Sequence, residues 1–407
     1  MGNIPLTLVR APLCVPLCVS WFYITYTGLH AQACVSAIPA FRQQQIIVMK
    51  KIVFSVFLLT SLVLACKKEP TEPPAVFDPT PYTVNFRDFP DPQFASANQP
   101  TNAGVLLGRM LFYEKALSKD GTQSCADCHR QQHAFSDSLQ FSIGVEQMPG
   151  KRQAMAVMNL AWHKNGMFWD GRSASVHEQA LKPIQDPLEM NETLPNVVSK
   201  LQAEKKYRDQ FVRAFGNDSI TPEKIGLAIE QFEFVMISNN SKYDQWKRGT
   251  ATLTDAEERG RKLFFTEFDP LGQHKGAECF HCHAGFNFTN NKYMNNALDP
   301  EVGQTDIGRQ KITNDPADKA KFKTPSLRNI AQSAPYMHDG RFQTLEQVVD
   351  HYNSGAKDSP TVEFLMQYNL QPGGLQLTAQ DKSDLVAFLK TLTDPEFLNN
   401  PAYQKTF

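Results

Sequence analysis

The chain has 407 residues, 42% of them hydrophobic, which is enough for two or three domains of ordinary globular composition. Its formal net charge of −1, with no basic cluster or arm, argues against nucleic acid as a partner. The 26 prolines point to short helices joined by loops.

Met49-Lys50-Lys51 opens a basic start, followed by the apolar run Ile52 to Ala65 and then Cys66. The run is about 14 residues, short of the roughly 20 that a membrane span needs. The pattern resembles a bacterial lipoprotein signal over residues 49–65, with cleavage before Cys66 and a lipid on its thiol. The segment begins 48 residues into the chain, so Met49 is the expected natural start and residues 1–48 an over-extended leader. The mature protein is then expected in the periplasm, touching the membrane through the lipid on Cys66 alone. Residues 66–81, rich in Pro, Glu and Thr, read as an extended tether. The competing reading is an ordered arm from Phe77 onward.

Cys125-Ala126-Asp127-Cys128-His129 and Cys279-Phe280-His281-Cys282-His283 dominate the remainder of the chain. Cys-x-x-Cys-His is the attachment signature of a c-type haem: two thiols bond the vinyl groups, and the next residue gives an imidazole to iron. The competing reading is a zinc site of two Cys-x-x-Cys pairs, which does not require the His after each. The eight cysteines then sort: four hold haem, Cys66 carries lipid, and Cys14, Cys18 and Cys34 fall in the leader. None remains for a disulfide. Two covalent haems mean redox chemistry outside the cytoplasm.

Three blocks recur in the same order. Gly108-Arg109-Met110-Leu111-Phe112 precedes the first motif and Gly260-Arg261-Lys262-Leu263-Phe264 the second. Phe168 to Arg172 and Tyr336 to Arg341 follow the motifs, and Glu178-Gln179 and Glu346-Gln347 follow those. Such order points to an internal duplication. Thr254 with Glu257 and Thr378 with Asp381 are capping boxes, and the second opens a helix with an apolar stripe over Leu385, Val386, Phe388, Leu389 and Leu392. Long alternating strand patterns are absent. The predicted fold is mainly α, two tandem cytochrome c-like haem domains over residues 82–245 and 246–407, joined near the polar stretch Ser241 to Thr252.

Around these motifs the chain resembles the bacterial di-haem cytochrome c peroxidases and the related MauG proteins. The matching stretches are Leu107 to Phe112, Ser142-Ile143-Gly144, Phe168 to Arg172, Pro187 to Met190, Phe322 to Asn329 and Pro335 to Gly340, within about residues 85–395. The resemblance implies that the N-terminal haem is the peroxide site and the C-terminal haem receives electrons. It places Gln179 and Glu189 on the distal pair of the peroxide site. Cleaving the O–O bond requires a group that moves a proton from the inner to the outer oxygen, which Glu189 would do while Gln179 orients the peroxide. The bland alternative for Glu189 is a solvated surface acid. Trp169 falls on the tryptophan between the haems, though a buried core aromatic would read the same.

Two departures emerge from the same comparison. Many of those peroxidases carry a blocking His directly after Ser-Ile-Gly, where this chain has Val145, so an open peroxide site is expected in the oxidised protein. His133, near the first motif, is the candidate to substitute for that His, and reads more readily as a surface or propionate-contacting residue. The sixth ligand of the second haem is Met in the classical enzymes and Tyr in MauG, and here the position is Tyr352, with His351 and Met337 as alternatives. A phenolate favours ferric iron and lowers the potential relative to Met. The family's interdomain calcium maps to Gln153, Ser333 and Pro335, with Gln in place of Asn.

The resemblance implies an enzyme that reduces hydrogen peroxide with electrons from a small cytochrome c or a cupredoxin, and a homodimer by analogy. The alternatives are a MauG-like oxidase that modifies a partner protein, and a non-catalytic di-haem electron carrier. One high-spin and one low-spin ferric signal are expected from the oxidised protein.

Overall fold

The computed structural model describes Met49, residues 73–92 and residues 94–405. The leader, Cys66 and all of the signal segment except Met49 lie outside the described residues. Of the tether, residues 73–81 are described, and its end is tied down: Asp78 N donates to Arg213 O (2.8 Å) and Asn102 N to Thr80 O (2.9 Å). The last few residues of the tether are therefore an ordered arm, because their backbone groups find partners on the folded body. No described helix is long and apolar enough to cross a membrane.

The fold is mainly helical. The longest described helix, Pro222–Phe234, has 13 residues. Thr221 caps it, and Pro222 supplies a first-turn residue that needs no N–H partner. The one sheet among the described residues pairs Tyr293–Met294 with Phe322–Lys323, antiparallel.

Two crossed helix pairs organise the chain. Asn102–Phe112 packs on Pro222–Phe234, and Asp255–Phe264 packs on Ala379–Lys390. The repeated Gly-Arg-x-Leu-Phe block owes its glycine to these crossings. A methyl group on Gly108 would overlap the carbonyl oxygen of Ala228, and one on Gly260 that of Asp384. Both capping boxes form, Thr254 with Glu257 and Thr378 with Asp381. The later repeats also share local geometry. Met167 bridges Ser173 as Tyr336 bridges Phe342, with Gly171 (φ 74°) and Gly340 (φ 63°) at the turns. Helices Val176–Ala180 and Leu345–Asp350 come next, capped by Ser175 and Thr344.

Leu107, Leu111, Phe211, Ile225 and Ile229 belong to one core, and Phe264, Phe288, Phe388 and Leu392 to another. A third joins Phe112, Phe135 and Phe232 to Phe397 and Tyr403 from the C-terminus. That segment is fastened by Gln131 Nε2, which donates to Phe397 O and Asn400 O (both 3.0 Å). Pro73 to Phe407 accordingly form one compact unit. The stretch Ser241 to Thr252, read as a polar connection, instead carries the helix Lys242–Lys247 with its own Ser241–Asp244 capping box. Its polarity misleads because Asp244 is buried, held by a two-pronged ion pair from Arg328 Nη1 and Nη2 (2.8 and 2.9 Å).

Candidate functional site

The first motif is a single helical turn, Cys125–Cys128, closed by reciprocal hydrogen bonds between Ser124 and Asp127. The turn sets both thiols on one side and His129 at its end. The chain then reverses through Ala134 (φ 56°) and Phe135 (φ 57°), which returns Phe135 O to within 2.8 Å of His129 Nδ1. With Nδ1 donating to that carbonyl, Nε2 is the nitrogen left to bind a metal. Burial pushes the imidazole pKa below its usual range, so the ring is neutral, as a ligand must be.

Cys125, Cys128 and His129 line a cavity together with Gln179, Glu189 and Glu233. Gln179 comes from the Ser175-capped helix. Glu189 comes from a turn tied by Glu189 N donating to Asp186 O (3.0 Å), and Glu189 O accepts from Val145 N (2.8 Å). Burial, then the charge of Asp186, push the Glu189 carboxyl up to about 7, against the pull of Arg172. Ser142, Ile143 and Gly144 line the same cavity. Val145 enters this arrangement through its backbone, and His133 lies in the short Gln131–His133 turn beyond the motif.

Glu233 escaped the sequence reading. It is 4% exposed on the Pro222–Phe234 helix, and burial with the charge of Glu230 pushes its carboxyl up to about 8. Its one signal in the sequence is acid among apolar neighbours, Glu230 and Glu233 beside Ile229, Phe232 and Phe234.

The second motif is a tighter turn, Cys279–His281, and His283 Nδ1 lies 3.1 Å from Phe288 O. Burial takes its imidazole down to about 4. Cys279, Cys282 and His283 line a larger cavity with Trp169, Met337 and Tyr352. Tyr352 sits in the π-helical turn His351–Gly355 that prolongs Leu345–Asp350. Asn296, also unread in the sequence, donates its amide to both Tyr352 Oη (3.2 Å) and Met337 Sδ (3.3 Å). Burial pushes the Tyr352 phenol up to about 12, with the Asn296 bond pulling the other way. His351 is engaged elsewhere, its Nε2 3.0 Å from Asn296 O.

Trp169 is buried in the wall of this second cavity, and its Nε1 donates to Gln153 O (2.8 Å). Gln153, Ser333 and Pro335 line the same cavity. The Gln153 amide nitrogen is turned to Ser136 Oγ (2.9 Å). Beside them Arg152 joins Asp170 (2.6 Å) and Asp306 (2.7 Å).

Each motif thus offers two free thiols and a neutral imidazole whose Nδ1 lies against a backbone carbonyl, facing a cavity. That donor set fits a covalently attached haem at each site: Cys125, Cys128 and His129 would hold one, Cys279, Cys282 and His283 the other.

Comparisons with known proteins agree with this chemistry. The family described as di-haem cytochrome c peroxidase matches residues 102–252. The methylamine utilization protein MauG of Methylorubrum extorquens is 35% identical over 300 residues, 73% of this chain and 80% of that protein. Cytochrome c551 peroxidase of Nitrosomonas europaea is 34% identical over 304 residues, 73% of this chain and 83% of that protein. Among solved structures, a MauG-like protein associated with microbial copper homeostasis superposes with a TM-score of 0.70 at 34% identity, covering 79% of this chain and 99% of that one. Paired motifs, helical fold and relatives of both kinds converge: the chain belongs to the di-haem cytochrome c peroxidase and MauG family, whose members carry two c-type haems.

Proposed function

We propose that the protein is a peroxidase that reduces hydrogen peroxide to water with electrons from a small cytochrome c or a cupredoxin. The supporting observation is that Glu189 and Gln179 line the cavity of the first Cys-x-x-Cys-His motif, with the Glu189 carboxyl raised to about 7. A base tuned near the working pH transfers protons in both directions efficiently. A haem held by Cys125, Cys128 and His129 would supply the electrons to peroxide. Ionised Glu189 takes the proton from one peroxide oxygen and delivers it to the other, which leaves as water. The Gln179 amide orients the peroxide by hydrogen bonding. Val145, without a metal-binding atom, leaves the cavity open.

In this reading electrons enter at the Cys279–His283 site and pass the Trp169 ring, which lines that cavity and is hydrogen-bonded to Gln153. There Tyr352, steadied by Asn296, would be an iron ligand, and Gln153, Ser333 and Pro335 would hold calcium through oxygen atoms. The matched local geometries support an origin by duplication of a haem domain, with halves at residues 82–245 and 246–407. The protein works in the periplasm, anchored by lipid on Cys66, and pairs as a homodimer.

A MauG-like role, using peroxide to modify a partner protein, is favoured by Tyr352 in the second cavity and by the relatives named MauG. Steady-state mixing with peroxide and a reduced small cytochrome c separates the two. Sustained oxidation of the cytochrome supports the peroxidase. Negligible turnover with a long-lived oxidised species supports the modifier.

A further inference from the structure

Reduction of peroxide to two waters consumes two protons and two electrons. Glu189 takes one proton and returns it, so its net supply is zero. The protons consumed must come from outside the peroxide, and a group in the cavity wall must hold them.

Glu233 has the position. It lines the N-terminal cavity, close enough to Cys125 for its charge to act on that thiol. It is 4% exposed, and its Oε2 finds no hydrogen-bond partner among the described residues. A buried carboxylate without a partner is costly, and a protonated carboxyl far less so. Burial and the neighbouring Glu230 charge both favour the protonated form, taking the group up to about 8.

A second buried carboxyl on the same helix reaches a partly exposed imidazole. Glu230 lies one turn earlier, on the same face of the helix and also buried. Its Oε1 accepts from Asn98 Nδ2 (2.9 Å), and its Oε2 is 3.0 Å from His177 Nδ1 and accepts from His177 N (3.0 Å). The His177 side chain is 34% exposed, with Nε2 3.2 Å from Ser175 Oγ. An imidazole with one edge in solvent and the other on a buried carboxylate passes protons readily.

We propose that Glu233 is a proton-holding residue of the N-terminal cavity, refilled from solvent through His177 and Glu230. The proposal rests on the peroxidase reading. Glu189 completes the first water, and the oxygen left behind takes two protons in turn from Glu233 Oε2, with the donor's two electrons, to become the second water. His177, protonated from solvent, gives its Nδ1 proton to Glu230 Oε2, and Glu230 passes it one turn along to Glu233. One proton enters the chain for each one used.

The test uses the haem-loaded protein and two variants, Glu233→Gln and His177→Gln. Infrared difference spectra of the resting protein, without peroxide, should show a protonated-carboxyl C=O stretch that Glu233→Gln removes. His177→Gln should keep that band and slow its exchange into D2O about tenfold. Turnover of peroxide in Glu233→Gln should fall about 10²-fold, the lower end of the span attributed to general acids. A band that survives in Glu233→Gln, exchange unaffected by His177→Gln, or turnover within twofold of wild type each overturns the proposal. If Glu233→Gln does not load haem, the exchange comparison decides alone. Wild-type protein that keeps the band but consumes no peroxide overturns the peroxidase reading instead.

Discussion

Replacing Glu189 with Gln keeps the side chain's size and removes its ability to accept a proton. General acid–base groups contribute about 10²- to 10⁴-fold, so kcat/KM for peroxide should fall by about that factor, or about 3–5 kcal/mol of transition-state stabilisation. The pH dependence is the sharper test. Burial and Asp186 hold the carboxyl near 7, so the base form is about half populated at pH 7, about a tenth at pH 6 and about nine-tenths at pH 8. Since kcat/KM reports ionisations of the free enzyme, the rate should rise about tenfold from pH 6 to pH 8. Arg172 opposes the shift, so Arg172→Gln should move the midpoint upward. Stopped-flow mixing of oxidised protein with peroxide from pH 5 to 9 measures all of this. A flat profile, or a loss under threefold in Glu189→Gln, would refute the assignment of the base.

Gly144 lies so close to the Glu189 turn that a methyl group there would overlap the carbonyl oxygens of Leu188 and Glu189. Gly144→Ala should displace that turn, cost about 1–3 kcal/mol in stability, and reduce the peroxide rate about 10²-fold. Stopped-flow kinetics beside a urea titration checks both. Tyr352→Phe should change the low-spin ferric EPR signal and raise the potential of the second haem, while Met337→Leu should leave the signal alone. The reverse pattern makes Met337 the ligand, a real contest because Asn296 holds both side chains. Asp244→Asn removes the charge partner of Arg328, whose side chain is 1% exposed, and should cost about 3–5 kcal/mol by denaturant unfolding.

What was legible obeyed covalent and local rules. Cys-x-x-Cys-His is contiguous because two thioethers and one imidazole must reach the same macrocycle, so no tertiary knowledge is needed. The capping boxes at Thr254 and Thr378 are likewise closed within four residues. Gly108 and Gly260 were visible as a repeat, but their cause, helices crossing at backbone contact, appears only in three dimensions. Ser241 to Thr252 looked like a connection because polarity says nothing about burial, and Arg328, which makes burial of Asp244 tolerable, lies 84 residues away. Asn296 carries no local mark, since amides are common in loops. Glu233 was marked, by acid on an apolar helix, but the mark has meaning only beside a cavity.

Glu189 and Glu233 line one cavity, and the proposed mechanism gives them opposite tasks. It needs one ionised and the other protonated, and such a separation of environments is how a site assigns its base and its acid. Glu189 meets Asp186 and Arg172, and sits near 7. Burial, with Glu230 on its own helix, holds Glu233 near 8. The working state, base open and acid loaded, is therefore most populated between about pH 7 and 8, and turnover should trace a narrow bell there. Glu233→Gln should lower the bell and remove its alkaline limb while keeping the acid limb. Arg172→Gln, by raising Glu189 toward Glu233, should narrow the bell from the acid side. Both profiles come from steady-state rates with a saturating reduced cytochrome. A Glu233→Gln profile that still falls above pH 8 would assign that limb to another group and break the pairing of the two carboxyls.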